Sequence, residues 1–309
     1  MLLFLGCAGF ELQDPTPLAS VPFTERESDE EIVILVLGDT GKKGLGQLAV
    51  AEHSARTCER VGCDLAVMLG DNLYETGAET VLSRKFVRLY ERPFASHGSL
   101  ETWVVMGNHD WLRSAQAEIN YTDRSERWRM PDLHYRVPGL PEWLTLYGWD
   151  SELLRRWTSS AGSTVMLQEM EEVLCEGDGW KVAFGHHPLR SSGLHGLHPT
   201  ELIPLQDTVE PIFERCGVQV ALAGHDHHLE HITGPTFEQF IAGSGSKTRP
   251  LCTDPGAVEG RCAKVGTEGQ HFISSTYGYA VLTVREDSLQ VAFYGTGQEE
   301  PAYRYDVSP

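Results

Sequence analysis

Five short apolar runs in this 309-residue sequence end in glycine and then in side chains that bind hard cations. EIVILVLGD closes on Asp39, LAVMLGDNLY on Asp71 with Tyr74 three residues on, and TWVVMGNHD on Asn108 and His109. WKVAFGHHP closes on His186, and VALAGHDHH on His225 and His227. Carboxylate, phenolate, amide oxygen and imidazole together form a donor set for metal ions, with enough members for two. A metal pair of that kind serves hydrolysis, because it acidifies water and takes up charge developing on phosphoryl oxygens. Singly each motif is weak, since Gly-Asp pairs are common and a histidine is often a hydrogen-bonded polar residue. Five in order along one chain, each behind an apolar run, form a constellation.

For those side chains to meet, the runs must be strands, because ligands of open α/β sheets gather outside the carboxyl ends of the strands. Helices are expected over about 45–60, 79–91, 163–175 and 205–216. The resulting β-α-β-α-β rhythm implies a parallel sheet with right-handed crossovers. The glycine-rich TGKKGLG matches neither the dinucleotide nor the phosphate-loop fingerprint and reads as a plain strand-to-helix turn. Between 111 and 162 the rhythm breaks. That stretch carries Trp111, Trp128, Trp143, Trp149 and Trp157 with short strand candidates LHYRV and WLTLYGW, and is expected to form a wall beside the site. In the tail, FEQFIAGS, GYAVLTV and LQVAFYG read as antiparallel strands joined by hairpins such as Arg285-Glu286-Asp287-Ser288. Two strand-rich halves with helices predict a four-layer α/β/β/α sandwich, two mixed sheets face to face with helices outside.

A net charge of −19 argues against a nucleic-acid-binding surface, which needs basic patches. It also means that an anionic substrate must be drawn by a local positive centre. The opening MLLFLGCAGF is apolar but too short to span a membrane, which takes ~20 residues. It resembles the end of a secretory signal, and Leu5-Gly6-Cys7 a bacterial lipoprotein site with Cys7 as the lipid anchor. Residues 1–30 are read as this segment and an acidic linker, and 31–309 as one domain. On that reading the protein is expected outside the cytoplasm, in a bacterial periplasm, at a cell surface or secreted; a frayed N-terminal segment of a soluble protein is the alternative. Apart from Cys7, six cysteines allow about 15 pairings, of which Cys252 with Cys262 across a Gly/Pro-rich loop is the best local pair. Buried free thiols remain the alternative.

The ordered set GDTG, GDNLY, GNHD, GHHP and GHDHH resembles the calcineurin-like metallophosphoesterases. The tyrosine after the second aspartate narrows the resemblance to the purple acid phosphatases, especially the small tartrate-resistant type. It covers residues 31 to 295, including WRMPDLHYRV after GNHD. The resemblance implies that Asp39, Tyr74 and His227 hold iron(III), that Asn108, His186 and His225 hold a divalent iron, zinc or manganese ion, and that Asp71 bridges them. It further implies phosphate contact for His109 and a place near the leaving group for His195. His195 as a mere loop residue, with His198 or water acting instead, stays open. His187 is expected to be a surface loop histidine, and Asp110 to orient a ligand histidine or to cap a helix. Trp111 stands where the tartrate-resistant enzymes often carry another histidine, so their specificity is not inherited. The function implied is acid phosphomonoesterase action on a small phosphate ester or a phosphoprotein. A phosphodiesterase or nucleotide hydrolase on the same fold is the alternative, with a non-hydrolytic metal-binding surface protein behind it.

Overall fold

The computed structural model describes residues 31–309, so the leader-like segment and linker read over residues 1–30 lie outside the described residues. Two seven-stranded sheets face each other. The first contains, in chain order, β1 (Ile32–Leu37), β2 (Leu65–Leu69), β3 (Thr102–Val105), β4 (Trp128–Arg129), β12 (Gly278–Arg285), β13 (Ser288–Gly295) and β14 (Tyr303–Val307). The second contains β5 (Tyr135–Arg136), β6 (Leu144–Gly148), β7 (Trp180–Phe184), β8 (Val220–Ala223), β9 (Leu229–Thr233), β10 (Glu238–Ala242) and β11 (Gln270–Ser274). The first is ordered β14-β13-β12-β1-β2-β3-β4 and the second β11-β9-β10-β8-β7-β6-β5.

The layering follows from strand alternation. All six residues of β1 are buried, as a strand covered on both faces requires. Ile32, Ile34 and Val36 enter the core between the sheets, while Val33, Leu35 and Leu37 pack outward. The outer face of the first sheet is covered by helix α1 (Leu45–Val61) and by Phe86, Tyr90 and Trp128. The second sheet is covered by α3 (Ser151–Trp157), α4 (Ala161–Leu174) and α5 (Pro199–Cys216), with Leu154, Met170 and Phe213 in that outer core. The four-layer sandwich expected from the sequence is the observed one. β1, β2 and β3 pair in parallel, and so do β6, β7, β8 and β10.

Several expectations change in detail. The helix read over 79–91 is a loop with one π-helical turn at Phe86–Glu91. Leu82 is exposed there while Phe86 stacks on Tyr121, 3.7 Å between ring centroids, so no single apolar face runs through the segment. β10 does not join β12 and β13: it pairs in parallel with β8 and antiparallel with β9 in the other sheet. β9, β11 and β14, and the short helices α2 (Ala115–Tyr121) and α3, had no sequence signal strong enough to name them. The tryptophans do not make a common wall. Trp128 and Trp149 belong to the outer cores, Trp143 packs on the inter-sheet core, and only Trp111 and Trp157 meet edge to face. The six cysteines among the described residues are oxidised: Cys252–Cys262 as expected, with Cys58–Cys63 and Cys175–Cys216, the last joining α4 to α5 across 41 residues.

Asp150 ties this outer layer together. Its side chain caps α3 through the Leu153 amide and accepts from Trp111 Nε1 at 2.6 Å. Burial pushes its carboxyl up to about 7, against the hydrogen bonds that favour the charged form. The folded chain therefore keeps a proton that the unfolded chain, with an aspartate near pKa ~4, releases. Stability from this group is complete below about pH 4 and is lost as pH rises towards 7. Urea midpoints across that range should fall with rising pH in wild type relative to Asp150→Asn, which keeps an acceptor but does not titrate. Parallel curves for the two proteins would remove the assignment.

Candidate metal centre

The carboxyl ends of β1, β2 and β3 in one sheet and of β7 and β8 in the other deliver all five motifs to one rim of the sandwich. Each strand stops at glycine for a spatial reason. A Cβ on Gly107 would lie 2.3 Å from Asp71 N and Oδ1, and Gly70 has φ of 87°, in the left-handed region. Asp39, Asp71 and His225 also have positive φ, at 55°, 54° and 66°. Non-glycine residues in that region are uncommon, and such conformations cost of order 1–3 kcal/mol each and cluster at functional sites. Here three of the expected ligands adopt it together.

The strained turns are held to one another. Asp39 N donates to Gly70 O at 3.1 Å, Gly41 N to Asp71 O at 3.0 Å, and His225 N to Asp39 Oδ2 at 2.7 Å, which joins the two sheets. Asp110 neither orients a histidine nor caps a helix as its principal task. Its carboxylate accepts from the backbone amides of Asn72, Leu73 and Gly107 and from Asn72 Nδ2, pinning the β2 turn to the β3 turn.

The side chains divide into two groups. In one, the Tyr74 hydroxyl donates to Asp39 Oδ1 at 3.0 Å, and His227 Nε2 lies 3.4 Å from both oxygens. In the other, His186 Nε2 lies 3.1 Å from Asn108 Oδ1 and 3.1 Å from His225 Nδ1. Asp71 sits between them, with Oδ1 3.5 Å from His186 Nε2. Donor atoms of Asp39, Asp71 and His186 all fall within 4.8 Å of one another. The seven residues read as ligands are thus brought to one rim, with Asp39, Asp71 and His186 nearest one another.

The chemistry of this donor set fits cations. His186 Nδ1 lies 2.7 Å from the Leu69 carbonyl, which fixes its proton there and leaves a lone pair on Nε2. That lone pair faces the Asn108 and Asp71 oxygens, an arrangement that calls for positive charge between them. Burial opposes charge on His186, yet Asp71 and Asp39 outweigh it and hold the imidazole above the ordinary histidine range. Burial and the neighbouring imidazoles push His225 well below it. Burial, then Asp39 and Asp71, push the Tyr74 phenol far above its usual range. A phenolate forms here only if a cation offsets the carboxylates.

His109 and His195 flank the groups. His109 Nδ1 is 2.7 Å from the Glu75 carbonyl, its amide donates to Asp71 Oδ1 at 3.0 Å, and the side chain is partly exposed. The His195 ring lies 3.8 Å from that of His225, its Nδ1 is 3.0 Å from Glu201 Oε2, and its amide donates to Asp226 Oδ1. Sequence reading missed Glu201, in the first turn of α5, and Asp226, buried between the two histidines of GHDHH. The five residues of turn and helix start between them carry no signal that pairs Glu201 with His195. His187 is not a surface histidine. It is buried, its ring 4.3 Å from His225, with Nδ1 2.8 Å from Ser151 Oγ. The start of α3, unseen in the sequence, covers it.

The family model of the calcineurin-like phosphoesterases matches residues 32–229. Purple acid phosphatase 17 of Arabidopsis thaliana is 27% identical over 280 residues, covering 82% of this chain and 80% of its own length. Among solved structures, GAP50, described as the anchor in the inner membrane complex of Plasmodium, superposes with a TM-score of 0.73 at 18% identity, over 90% of this chain and 89% of that one. Purple acid phosphatase PPD1 from yellow lupin (Lupinus luteus) seeds gives a TM-score of 0.66 at 14% identity, over 93% of this chain and 55% of the lupin chain. Both structural likenesses establish the fold.

The position of Asp71 generates a direct test. Asp71→Ala should remove bound metal and hydrolysis together, because both groups lose their shared anion. The loss should exceed the roughly 10- to 100-fold typical of removing an outer partner. Metal counted per chain by mass spectrometry decides it; a variant with the wild-type metal count would refute the shared position.

Proposed function

The chain belongs to the calcineurin-like phosphoesterase family and is a phosphoric ester hydrolase, and on that premise we propose that it is a binuclear-metal phosphomonoesterase of the purple acid phosphatase kind. Asp39, Tyr74 and His227 would hold iron(III), for which hard anionic oxygens are suited, and Asn108, His186 and His225 a divalent iron, zinc or manganese ion. Asp71 would serve both. The observation that carries this reading is the convergence of Asp39, Asp71 and His186 donor atoms within 4.8 Å, with Tyr74 and His227 beside Asp39 and Asn108 and His225 beside His186. When bound, such a pair supplies an acidified water as nucleophile and takes up charge on the phosphoryl oxygens. Its positive charge exceeds that of two carboxylates and one phenolate, which gives an acidic chain a local centre for phosphate.

The protein's own groups do the rest. His109, tethered at Nδ1 by the Glu75 carbonyl, keeps Nε2 for a phosphate oxygen. Glu201 tethers His195 at Nδ1 and keeps its Nε2 for the oxygen that leaves. Asp226, accepting from Ser191 Oγ at 2.6 Å as well as from the His195 amide, holds the loop that carries this imidazole. Small phosphate esters or phosphoproteins are the substrate class in this reading. Three disulfides among the described residues support an oxidising compartment, in keeping with export. Among the described residues no helix is long and apolar enough to cross a membrane. Cys7, the proposed lipid anchor, lies outside them. Hydrolysis of nitrophenyl phosphate much faster than of its bis-ester, by protein carrying two metals per chain, is the expected outcome. A preference for the bis-ester would overturn the monoesterase reading.

Tyr74 gives a test of metal identity. Iron-loaded, oxidised protein should absorb in the visible, and Tyr74→Phe should lose that band while its circular dichroism stays that of wild type. Iron-loaded wild type without the band would remove Tyr74 from the iron and the purple-phosphatase assignment with it.

His195 gives a test of mechanism. Protonating a departing alkoxide is typically worth roughly 100- to 10,000-fold, and matters most for a poor leaving group. His195→Ala should therefore slow an alkyl phosphate far more than nitrophenyl phosphate, with metal content unchanged. Equal losses on both substrates would exclude His195 as the acid.

A further inference from the structure

A second cluster of donor atoms lies at the other end of the sandwich. β10 runs from Glu238 towards Gly243, whose amide donates to His228 O beside the candidate metal centre. Glu238, at the start of that strand, is separated from Ala242 at its end by about 13 Å of extended chain. Next to it on β9, His231 is buried and Thr233 exposed, and across β9 lies β11 with His271.

The placement of His271 depends on a bulge. Gln270 pairs with Ile232, but Phe272, not His271, pairs with His231, so two residues of β11 stand opposite one of β9. In an unbroken ladder neighbouring side chains alternate between faces, and His271 would point away from Phe272. A bulge bends the strand and re-aims a side chain. The result is an exposed His271 whose ring stacks on that of His231, centroids 4.6 Å apart.

We propose that His231, Glu238 and His271 form a separate binding site for a divalent zinc-type ion. One donor atom from each lies within 4.8 Å of the others. Two imidazoles and a carboxylate with a fourth position left for water make a common zinc set. His231 Nε2 is 2.9 Å from Glu238 Oε2, and Thr233 Oγ1 is 2.9 Å from Glu238 Oε2 and 2.7 Å from His271 Nε2. Tetrahedral donors at bonds of about 2.0–2.1 Å stand roughly 3.3 Å apart, so the cluster needs to open by about half an ångström. The outer partners of a metal site are present too. His231 Nδ1 is 2.9 Å from the Tyr303 hydroxyl, and the Tyr305 hydroxyl donates to Glu238 Oε1 at 3.1 Å. Burial holds the His231 imidazole below its ordinary value, in the neutral form that ligation requires. An ion reaches the cluster from the exposed His271 side, or through a cavity of about 250 Å³ lined by Thr233, Gly234 and Glu238.

Tyr303 and Tyr305 belong to β14 in the first sheet, whereas the three donors belong to the second. An ion here links the sheets, so its occupancy acts on stability rather than turnover. The site is independent of the phosphatase reading. The test equilibrates the metal-containing protein, as purified, with zinc, removes free ion by desalting, and counts zinc per chain. His271→Ala and the near-isosteric Glu238→Gln should each hold one zinc fewer than wild type. They should also lose the zinc-dependent rise in melting temperature while hydrolysing nitrophenyl phosphate as wild type does. Equal zinc counts, or an equal thermal shift, in wild type and both variants would overturn the site and leave a hydrogen-bonded network only.

Discussion

The structure depends on keeping electron-rich atoms together that would separate if left to themselves. Two buried carboxylates, Asp39 and Asp71, and the His186 lone pair converge within 4.8 Å. At an effective dielectric constant near 20, two unit charges at that distance repel by roughly 3–4 kcal/mol. That is a sizeable part of the 5–15 kcal/mol by which a domain is ordinarily stable. Positive charge between them offsets that repulsion: the His186 imidazole, held above its ordinary range by Asp71 and Asp39, supplies part of it, and a bound cation would supply more. Hydrogen bonds to charged groups carry much of the load. The Asp71 carboxylate takes the His109 amide, Asp39 takes the His225 amide, and Asp110 takes three backbone amides.

Backbone geometry answers to the same demand. A strand ending normally would send its next side chain along the sheet, away from its neighbours. Left-handed residues at Asp39, Asp71 and His225 turn the chain sharply instead, so that the carboxylates and the imidazole face inward. Their neighbours are glycines because the turns pass so close to one another that a methyl group on Gly107 would enter Asp71 itself. The recurrence of Gly-Asp, Gly-Asn and Gly-His is thus a steric consequence of crowding five turns into one rim.

The chemistry is spread unevenly over an acidic molecule. One rim gathers carboxylate, phenol, amide and imidazole donors beside His109 and His195, while the opposite rim gathers the His231, Glu238 and His271 set against tyrosines of the other sheet. Both depend on inter-sheet contacts. At the first rim the His225 amide on Asp39 fixes the distance between the donor groups, and at the second β14 closes over β9 and β10. Sheet-to-sheet packing through residues such as Phe240 and Phe293 is the mechanical link they share.

Read as sequence, the chain already determined that five strands would carry ligands to one edge, because apolar runs of strand length, a glycine and a hard donor leave few other folds. The convergence of the five motifs and the two sheets were legible in local pattern, and Cys252–Cys262 was the best local pair, whereas the ligand roles came only as what the resemblance implied. Tertiary structure alone decided how the rest is used. His187 became buried because α3, too short to show a periodic face, folds over it. Glu201 met His195 because a single 3-10 turn, His195–Leu197, leads directly into α5, whose first turn carries the carboxylate. β10 went to the second sheet, beside β8 and β9 that shortly precede it, because a strand's own sequence does not say which edge it will join. His271 turned towards His231 through a bulge set by the register of two strands. Periodicity records which residues seek burial, whereas contacts between distant segments depend on the final packing that buries them.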